Sequence, residues 1–463
     1  MKNVLSVFPP FCSPVSPPYS ITYVTKFLEM NSNKGEFSFQ VLDLNAWLHQ
    51  KQFKGDYEKI RESMQNNDIK KYSSLIHETK LKIDNFSRIE NNEVRLNENS
   101  KMLQDCLANI LSKKPDVVLF SLIYNSQAFF SLLLARELKK KNVEVIVGGP
   151  AVTKQLKEAA VYLPNEVELL EHLTGLKADF KALDCLRILD YSSYDFSFYF
   201  TPERVISLRA SSCCYYQRCA FCTHHNFGKY MEYNLEDIKT SILLSKAKLV
   251  FITDDMIHKK RLLDIAKIFK PLNVKWMCQL RPTKDLDEKT LKILHDSGLN
   301  IVLWGVESGN QRVLSLMNKG TKIEEVESVL RAGKKAGIVN VTYIMFGFPT
   351  ETKEEFIGTI EFLKRNKDFV DLVSTSIFGL QEGSLVEKTP EKFEITEVHK
   401  EKRTMLPDKI AYSISKGLAR DEARILRGKY KKTLDSINKY PKELNIYREH
   451  MLYFVSKQEN KNN

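Results

Sequence analysis

The residues best suited to chemistry are cysteines, because four of the eight in the chain fall within one short segment. In a reducing compartment, so tight a group favours metal binding over disulfide formation. Three thiolates at this spacing suit three irons of a [4Fe–4S] cluster, which leaves the fourth iron open to a chelating small molecule. A zinc ion held by three of the cysteines and a neighbouring histidine is the alternative. The residues concerned are Cys213, Cys214, Cys219, Cys222, His224 and His225.

The cysteine segment follows the first of six predicted strands that alternate with amphipathic helical stretches. These strands are Val205–Arg209, Leu249–Thr253, Val274–Gln279, Ile301–Gly305, Val341–Phe346 and Leu372–Phe378. Six strand–helix units in succession indicate a partial (β/α)6 barrel of the TIM type, with its site at the carboxyl ends of the strands. Structural zinc sites usually lie in small domains without a core of their own, so this position favours catalytic chemistry.

Polar side chains also follow the second and third barrel strands, and they are expected to face the barrel cavity. We predict that they bind substrate or take part in proton transfer. Helix caps and salt bridges are an equally good interpretation of the same residues. They are Asp254, Asp255 and His258 after the second strand, and Gln279 and Arg281 at the end of the third.

The N-terminal part of the chain shows a separate alternation of strands and helices, which predicts a doubly wound parallel sheet. The strands are predicted at Val4–Val7, Phe39–Leu44, Val117–Ser121 and Val143–Val147. Ligands of such sheets bind outside the carboxyl ends of the strands. The loops Phe8–Phe11, Ser121–Ser126 and Gly148–Thr153 should therefore share one edge. The polar stretch 50–100 has helical patterning and is predicted to be an insertion.

These patterns predict an α/β protein of two folded domains and a tail. A Rossmann-type domain covers residues 1–165, a linker 166–200, the barrel 201–387, and a basic helical C-terminal region 388–463. Residues 401–463 carry 15 Lys or Arg against 8 Asp or Glu. Such a tail suits an anionic partner, although a solvated helical face explains it equally well.

The composition excludes two broad classes of protein. The chain has 463 residues, is 43% hydrophobic and 28% charged, and has a net charge of +12. Disordered chains have fewer aliphatic residues, and a transmembrane helix needs about 18 consecutive apolar residues, more than any stretch here provides. The apolar N-terminal run ends at Pro9, so no secretory signal is expected and the protein is predicted to be cytoplasmic.

The cysteine segment, the barrel and the preceding sheet together resemble radical S-adenosylmethionine (SAM) enzymes of the cobalamin-binding class, over about residues 1–425. The usual family spacing is one residue shorter than the four residues that separate Cys214 from Cys219, although a subset of the family shares the longer spacing. The resemblance implies that Cys214, Cys219 and Cys222 bind the [4Fe–4S] cluster. Cys213 is the adjacent competitor for the first position.

Further segments match the family in the expected order along the barrel. The resemblance implies that Phe221 packs against the adenine of SAM and that Trp304–Gly309 supplies polar SAM contacts. Met345–Glu351 resembles the glycine-containing stretch whose backbone approaches the adenine. The implied contact residues are Phe221, Gly305, Glu307, Ser308 and Gly347.

The N-terminal sheet resembles the cobalamin-binding fold, because two adjacent glycines follow its last predicted strand and let the backbone approach a flat ligand. A plain strand-to-helix turn is the alternative. The Asp-x-His-x-x-Gly signature of many cobalamin proteins is absent from the sequence, which implies that no histidine of the protein ligates the cobalt. The implied cobalamin contacts are Phe8, Pro9, Ser121, Tyr124, Gly148 and Gly149.

The resemblance implies a cobalamin-dependent methyltransferase that acts on an unactivated carbon, or a phosphinate phosphorus, of a peptide or natural-product intermediate. A flavodoxin or ferredoxin would supply electrons, whereas a nucleic-acid or membrane partner is not expected. The alternatives are a non-methylating rearrangement or cyclisation, methylthio transfer to RNA, and a binding module with a structural zinc. Methylthio transfer requires three further N-terminal cysteines, and only Cys12 and Cys106 lie there. The sequence leaves the substrate open.

Overall fold

The computed structural model describes residues 1–96, 100–178, 187–223, 228–403, 406 and 408–462. Contacts divide the chain into two units. The first contains Met1–Ser207 with Thr240–Lys246, and the second contains Leu208–Lys239, Ala247–Lys402 and the described residues from Asp408 onward. Among the described residues, no helix is both long enough and apolar enough to cross a membrane.

The first unit is built on a five-stranded sheet. Its strands are β1 (Lys2–Phe8), β2 (Phe37–Asp43), β3 (Val117–Ser121), β4 (Glu144–Gly148) and β5 (Val161–Tyr162). They lie in the order β2-β1-β3-β4-β5 with every neighbouring pair parallel, which confirms the predicted doubly wound sheet. Leu5 and Val7 pack in one core and Val4 in the other, so both faces of the sheet are buried as a parallel sheet requires.

Seven helices accompany this sheet in the described part of the first unit. They are α1 (Tyr19–Asn31), α2 (Leu44–Gln65), α3 (Ile69–Leu96), α4 (Lys101–Ser112), α5 (Ala128–Lys140), α6 (Lys154–Ala159) and α7 (Glu166–Thr174). The polar stretch predicted as an insertion is largely α3 and the second half of α2, and α3 packs against α2 and α5. Asp43 caps α2 by accepting a hydrogen bond from the backbone N–H of Ala46.

The aromatic segment before the barrel, predicted as part of a linker, packs within the first unit. The Tyr199 hydroxyl donates to Asp43 Oδ2 at 2.8 Å. The ring of Phe200 stacks on Tyr57 with centroids 4.0 Å apart. Large aromatic side chains contribute much buried apolar area, so this segment adds to the core of the first unit.

The second sheet has six strands, which are the six predicted from the sequence. They are β6 (Val205–Leu208), β7 (Leu249–Ile252), β8 (Lys275–Leu280), β9 (Leu299–Glu307), β10 (Val339–Phe346) and β11 (Leu372–Ile377). The strands lie side by side in chain order, and the pairs from β7 to β11 are parallel. This arrangement confirms the α/β barrel-type fold, in which the cysteine segment follows the first strand.

The helices from α8 onward alternate with these strands and continue after them. They are α8 (Leu235–Ser245), α9 (Lys259–Leu272), α10 (Glu288–Asp296), α11 (Gln311–Leu316), α12 (Ile323–Ala336), α13 (Lys353–Arg365), α14 (Leu385–Lys388), α15 (Arg420–Lys429), α16 (Lys431–Ile437) and α17 (Arg448–Asn462). Capping residues fix where α13 begins. The side chains of Thr352 and Glu355 each accept a hydrogen bond from the other residue's backbone N–H, which is a capping box.

The C-terminal region contains a β-hairpin besides the predicted helices. Strands β12 (Ile395–Glu401) and β13 (Lys409–Ile414) pair antiparallel. Alternate residues of β13, namely Ile410, Tyr412 and Ile414, pack against a hydrophobic cluster of the second unit. This period of two is the signature of a strand, and the high charge of the surrounding tail masks it in the sequence.

Candidate active site

The structure separates Cys213 from the other three cysteines of its segment. Cys213 is buried, and its Sγ lies 3.3 Å from the Gly228 carbonyl and accepts from Gln217 Nε2 at 3.2 Å. Cys214, Cys219 and Cys222 are partly exposed. The first cysteine of the segment is therefore engaged in local structure, and this difference supports Cys214 over Cys213 as a ligand.

The thiols of Cys214 and Cys222 both lie close enough to Cys219 to affect its pKa. Burial raises the pKa of Cys219 to about 11; Lys319 opposes this rise, whereas Cys222, Glu307 and Cys214 add to it. All described cysteines are free thiols. Three partly exposed thiols in one segment, with an ammonium group near Cys219, have the donor chemistry of a cluster that binds through three thiolates and carries net negative charge.

A single-ion site is not formed by the described residues. Within the ranges that the structure covers, no three His, Cys, Asp or Glu side chains converge on one point closely enough to hold a metal ion. His224 and His225, which the zinc alternative requires, lie outside the described residues.

Asp254 holds the start of the cysteine segment. Its carboxylate accepts hydrogen bonds from the Ala210 N–H at 2.7 Å and from Ser211 Oγ at 2.6 Å. The side chain is buried, and this burial raises its pKa to about 6 although both hydrogen bonds lower it. Substrate binding by Asp254 stays a prediction, and the contacts that the structure shows for this carboxylate are those that position the start of the segment.

A strap of residues between α11 and α12, Met317–Thr321, holds the middle of the cysteine segment. The Ala220 N–H donates to the Met317 carbonyl, the Asn318 side chain donates to the Arg218 carbonyl, and the Tyr216 hydroxyl donates to the Asn318 carbonyl. Each of these bonds is 2.9 Å long. The strap therefore fixes the backbone on both sides of Cys219.

Gly320 lets the strap approach this closely. Its φ is +65°, and a Cβ there would lie 2.3 Å from the Tyr216 hydroxyl. Arg281 closes the contact from the third barrel strand, because its guanidinium lies 3.7 Å from the Tyr216 ring centroid and donates to the Lys319 carbonyl at 3.0 Å. Arg281 thus supports the cysteine segment through the strap.

A buried ion pair stands beside the cysteines. Lys319 Nζ lies 2.7 Å from Glu307 Oε1, and their side chains are only 5% and 12% exposed. The same ammonium is 5.7 Å from the Phe221 ring centroid. A Cβ on Gly305 would lie 2.9 Å from Lys319 Nζ, so a side chain there would push the ammonium away from its present position. Gly305, Glu307 and Phe221 are all predicted SAM contacts, and in the structure all three lie near the ammonium group of Lys319.

Lys319 carries no signal in the sequence that distinguishes it. A single lysine in a chain with 70 Lys and Arg residues shows no periodicity, and only the fold reveals that it is buried. Lysine is almost never fully buried unless it is paired. Its partner Glu307 is predicted from the sequence as a SAM contact, and a buried glutamate there would need a cation nearby. The sequence does not show which of the many lysines and arginines that cation is.

Ser308 and Gly347 lie in the turns that follow β9 and β10. The Ser308 hydroxyl is buried and within 3.2 Å of Thr359 Oγ1 on α13, so it serves the packing of that helix. Gly347 has a φ of +71°, and its N–H donates to Glu351 Oε2 at 2.5 Å. Burial raises the pKa of Glu351 to about 8, and the Gly347 N–H opposes this rise.

The remaining polar candidates mostly take part in caps and salt bridges. His258 caps α9 and its Nε2 lies 2.6 Å from Glu232 Oε1. Asp255 pairs with Arg209 at 3.4 Å. Gln279 is half-buried near the carboxyl end of β8.

In the first unit, the loops after β1, β3 and β4 meet at one edge of the sheet. Gln127 ties two of them together: its Nε2 donates to the Pro9 carbonyl at 2.7 Å, and its Oε1 accepts from the N–H of Tyr124 at 2.9 Å. Gly149 has a φ of +104°, and a Cβ there would lie 2.3 Å from the Leu122 carbonyl oxygen. The short distance between Gly149 and the Leu122 backbone therefore explains why a glycine is needed at this position.

The same edge has the character that a flat ligand needs. Gly148 is half-buried and Gly149 is exposed at the end of β4, and Tyr124, in the loop after β3, is 52% exposed. Phe8 is buried below, and Ser121 Oγ donates to Ser20 Oγ at 2.8 Å. Glycine backbone and an exposed aromatic ring are groups that a planar ligand can contact, and cobalamin binding by these residues stays a prediction.

His49 is buried away from solvent on α2. Its Nδ1 contacts the Tyr57 hydroxyl, and burial lowers its pKa to about 3. An imidazole held in this way serves the packing of α2.

Comparison with known proteins identifies the barrel. Residues 212–363 match the radical SAM superfamily. The chain carries a radical SAM domain. This match confirms the radical SAM part of the resemblance, which the cysteine segment and the barrel strands predict. The matched residues include the three partly exposed cysteines, the Met317–Thr321 strap and the Lys319–Glu307 ion pair.

Two curated relatives of this chain are methyltransferases by name. An uncharacterized methyltransferase of Pyrococcus horikoshii is 30% identical over 32% of this chain and 34% of its own length. The bacteriochlorophyllide d C-8(2)-methyltransferase of Chlorobaculum tepidum is 24% identical over 52% of this chain and 61% of its own length. The matches thus cover only about a third and three-fifths of these relatives.

A solved structure shares the fold of the entire chain. The radical SAM methyltransferase TsrM of Kitasatospora setae, with tryptophan substrate and a SAM analogue bound, has a TM-score of 0.65 at 14% identity. That match covers 100% of this chain and 99% of TsrM. A second structure of TsrM contains cobalamin and a [4Fe–4S] cluster. At this identity the likeness shows the fold, which includes both the N-terminal sheet and the radical SAM domain.

Proposed function

We propose that the chain is a cobalamin-dependent radical SAM methyltransferase that acts on an unactivated carbon of a peptide or natural-product intermediate. The observation that carries this proposal is the grouping of Cys214, Cys219 and Cys222 beside the Lys319–Glu307 pair at the strand ends of a radical SAM domain. The names of both curated relatives favour methylation over rearrangement.

Each part of the chain has a separate task in this proposal. Cys214, Cys219 and Cys222 hold the [4Fe–4S] cluster, and the carboxyl edge of the first sheet holds cobalamin. When bound, these groups supply one-electron cleavage of SAM and a methyl group for transfer. The strap and Asp254 keep the three thiolates in place, which is the positioning that a catalytic site needs from its surroundings.

The ion pair provides complementary charges for the amino-acid part of SAM. Glu307 offers a carboxylate to an ammonium group, and Lys319 offers an ammonium to a carboxylate. Both groups are already desolvated, so little reorganisation is required when the ligand binds. Phe221, on the same side of Lys319, offers an apolar face to the adenine.

The proposal also includes the cellular location of the protein, its electron donor and its substrate class. A cytoplasmic location is part of the proposal, because a reducing compartment keeps cysteines as the free thiols that a cluster needs. A flavodoxin or ferredoxin is the proposed electron donor, and the proposed substrate is a small molecule or peptide, not a nucleic acid.

The test is anaerobic reconstitution with iron, sulfide and hydroxocobalamin, followed by gel filtration and a visible spectrum. The proposal expects a retained corrin chromophore above the broad cluster absorption. The Cys219→Ser variant should lose the cluster absorption and keep the corrin, whereas Cys278→Ser, a buried residue of β8, should keep both. Cluster absorption without retained cobalamin would contradict the methyltransferase proposal.

A further inference from the structure

The C-terminal helix α17 forms the floor of the barrel interior. On β10, the Asn340 side chain reaches the Leu330 carbonyl of α12 at 2.8 Å, and Phe346 stacks on Phe356 of α13 at 4.0 Å. Even-numbered residues of β10 therefore face the outer helices, and Tyr343 faces the interior. The guanidinium of Arg448, the first residue of α17, lies 5.4 Å from the Tyr343 ring centroid. This contact places the start of α17 on the interior side of the sheet.

The far end of α17 lies at the amino ends of the strands. Glu459 pairs with Lys275, the first residue of β8, at 2.5 Å, and with His295 at 2.8 Å. The residues between, Glu449 to Ser456, are all buried. A helix buried all round its circumference is enclosed by protein, so α17 closes the interior from below.

Arg448 has no counterion in the described part of the chain. Its contacts there are a 3.4 Å bond from Nε to the Asn445 carbonyl and the contact with the Tyr343 ring. The Tyr343 hydroxyl oxygen is buried and has no hydrogen-bond partner among the described residues. A buried hydroxyl without a partner costs free energy unless a ligand completes it, and the half-buried guanidinium of Arg448 lies over the ring that carries this hydroxyl.

Glu307 does not serve as that partner. It lies on the same interior, close enough to raise the pKa of Tyr343 after the larger effect of burial, while Arg448 lowers it. However, Glu307 already pairs with Lys319 at 2.7 Å. The cation at the floor is therefore left for a group that comes from outside the protein.

We propose that Arg448 and Tyr343 form an anion subsite that binds a carboxylate of the substrate at the floor of the barrel. The guanidinium presents a planar fork of N–H donors that matches a carboxylate, and the tyrosine hydroxyl adds a further donor. This inference rests on the proposed function in one respect: it assumes that the substrate enters the barrel interior. It narrows the substrate class to molecules that carry a carboxylate.

Protection from an arginine-specific reagent tests the subsite without catalytic turnover. Reconstituted protein is treated with phenylglyoxal, and the modified arginines are mapped by mass spectrometry. The probes are acetate, benzoate and indole-3-acetate, each compared with its carboxamide, and inorganic phosphate. Arg331 is the internal control. It is an exposed arginine of the outer helix α12, and its guanidinium also lies near an aromatic ring, 5.0 Å from the centroid of Phe369.

The carboxylates should protect Arg448 and leave Arg331 reactive, whereas the carboxamides should protect neither. The Tyr343→Phe variant should weaken this protection by about 2–10-fold, the value of one neutral hydrogen bond. By calorimetry, Arg448→Met should weaken binding of the best carboxylate by about 10–100-fold, and Arg331→Met should not change it.

Three outcomes would overturn the subsite: equal protection by acid and amide, equal affinity of wild type and Arg448→Met, or a preference for phosphate over every carboxylate. Cluster and corrin absorption are recorded on the same samples. Protein that retains both cofactors but does not distinguish acid from amide contradicts the subsite alone. Protein without the cofactors contradicts the proposed function, while its protection pattern still decides the subsite.

Discussion

Adjacent residues can differ completely in role, as Cys213 and Cys214 show. Both lie in the same segment, but the Sγ of Cys213 forms hydrogen bonds with Gly228 and Gln217. Cys214 instead contributes to the raised pKa of Cys219. Spacing along the chain left the choice between them open. The direction of each side chain, which depends on the path of the loop, distinguishes them.

A serine series checks this assignment. We expect Cys214→Ser, Cys219→Ser and Cys222→Ser each to lose most of the iron and labile sulfide, because a hydroxyl replaces a thiolate ligand. Cys213→Ser is the matched neighbour and should retain both. Iron and sulfide analysis after reconstitution makes the comparison, and loss of the cluster in Cys213→Ser with retention in Cys214→Ser would reverse the assignment.

Glu351 should make folding stability depend on pH. Its pKa is raised by burial from 4.5 to about 8, so the folded state holds this proton more tightly than the unfolded state. The resulting stabilisation is fully present below about pH 4.5 and is lost as the pH rises towards 8. It amounts to at most about 5 kcal/mol.

The neutral variant Glu351→Gln isolates this contribution. Its unfolding free energy minus that of wild type should increase as the pH rises from 4.5 to 8, as measured by denaturant unfolding at several pH values. The same substitution at exposed Glu354 should produce no such trend. A constant difference between Glu351→Gln and wild type would show that Glu351 is ionised throughout.

At the scale of elements, the Met317–Thr321 strap holds the cysteine segment in one conformation through hydrogen bonds on both sides of Cys219. It joins the connection between α11 and α12 to the segment after β6, which is about a hundred residues earlier in the chain. Strand–helix alternation predicts that these two loops lie at the same end of the barrel. It does not predict that their backbones are joined by hydrogen bonds.

Gly320→Ala should loosen the strap. An alanine at a φ of +65° costs about 1–2 kcal/mol, and its Cβ would displace the Tyr216 hydroxyl. We expect a lower unfolding free energy and faster loss of iron to a chelator. Gly358→Ala, on α13 with no atom within 4 Å of the new Cβ, should instead be neutral or stabilising. Equal chelation rates in both variants would contradict a role for the strap.

At the scale of the whole molecule, the two units each present the carboxyl edge of a parallel sheet. The first carries Tyr124, Gly148 and Gly149 at that edge, and the second carries the cysteine segment and the Lys319–Glu307 pair. The division into units differs from the predicted domains, because Tyr199 and Phe200 pack in the first unit. Aromatic clusters of this kind look like a linker in sequence, since they lack a periodic pattern.

The sequence by itself determined the fold class, ten of the eleven strands of the two sheets (all but the short β5), and the cysteines of the radical SAM domain. These features depend on local periodicity and on spacing, which are properties of the chain alone. The tertiary structure alone decided that Lys319 is buried beside Cys219, that Asp254 supports the segment, and that α17 brings Arg448 to Tyr343. Each of these contacts joins distant parts of the chain, and its energy depends on burial and on the partner that the fold supplies.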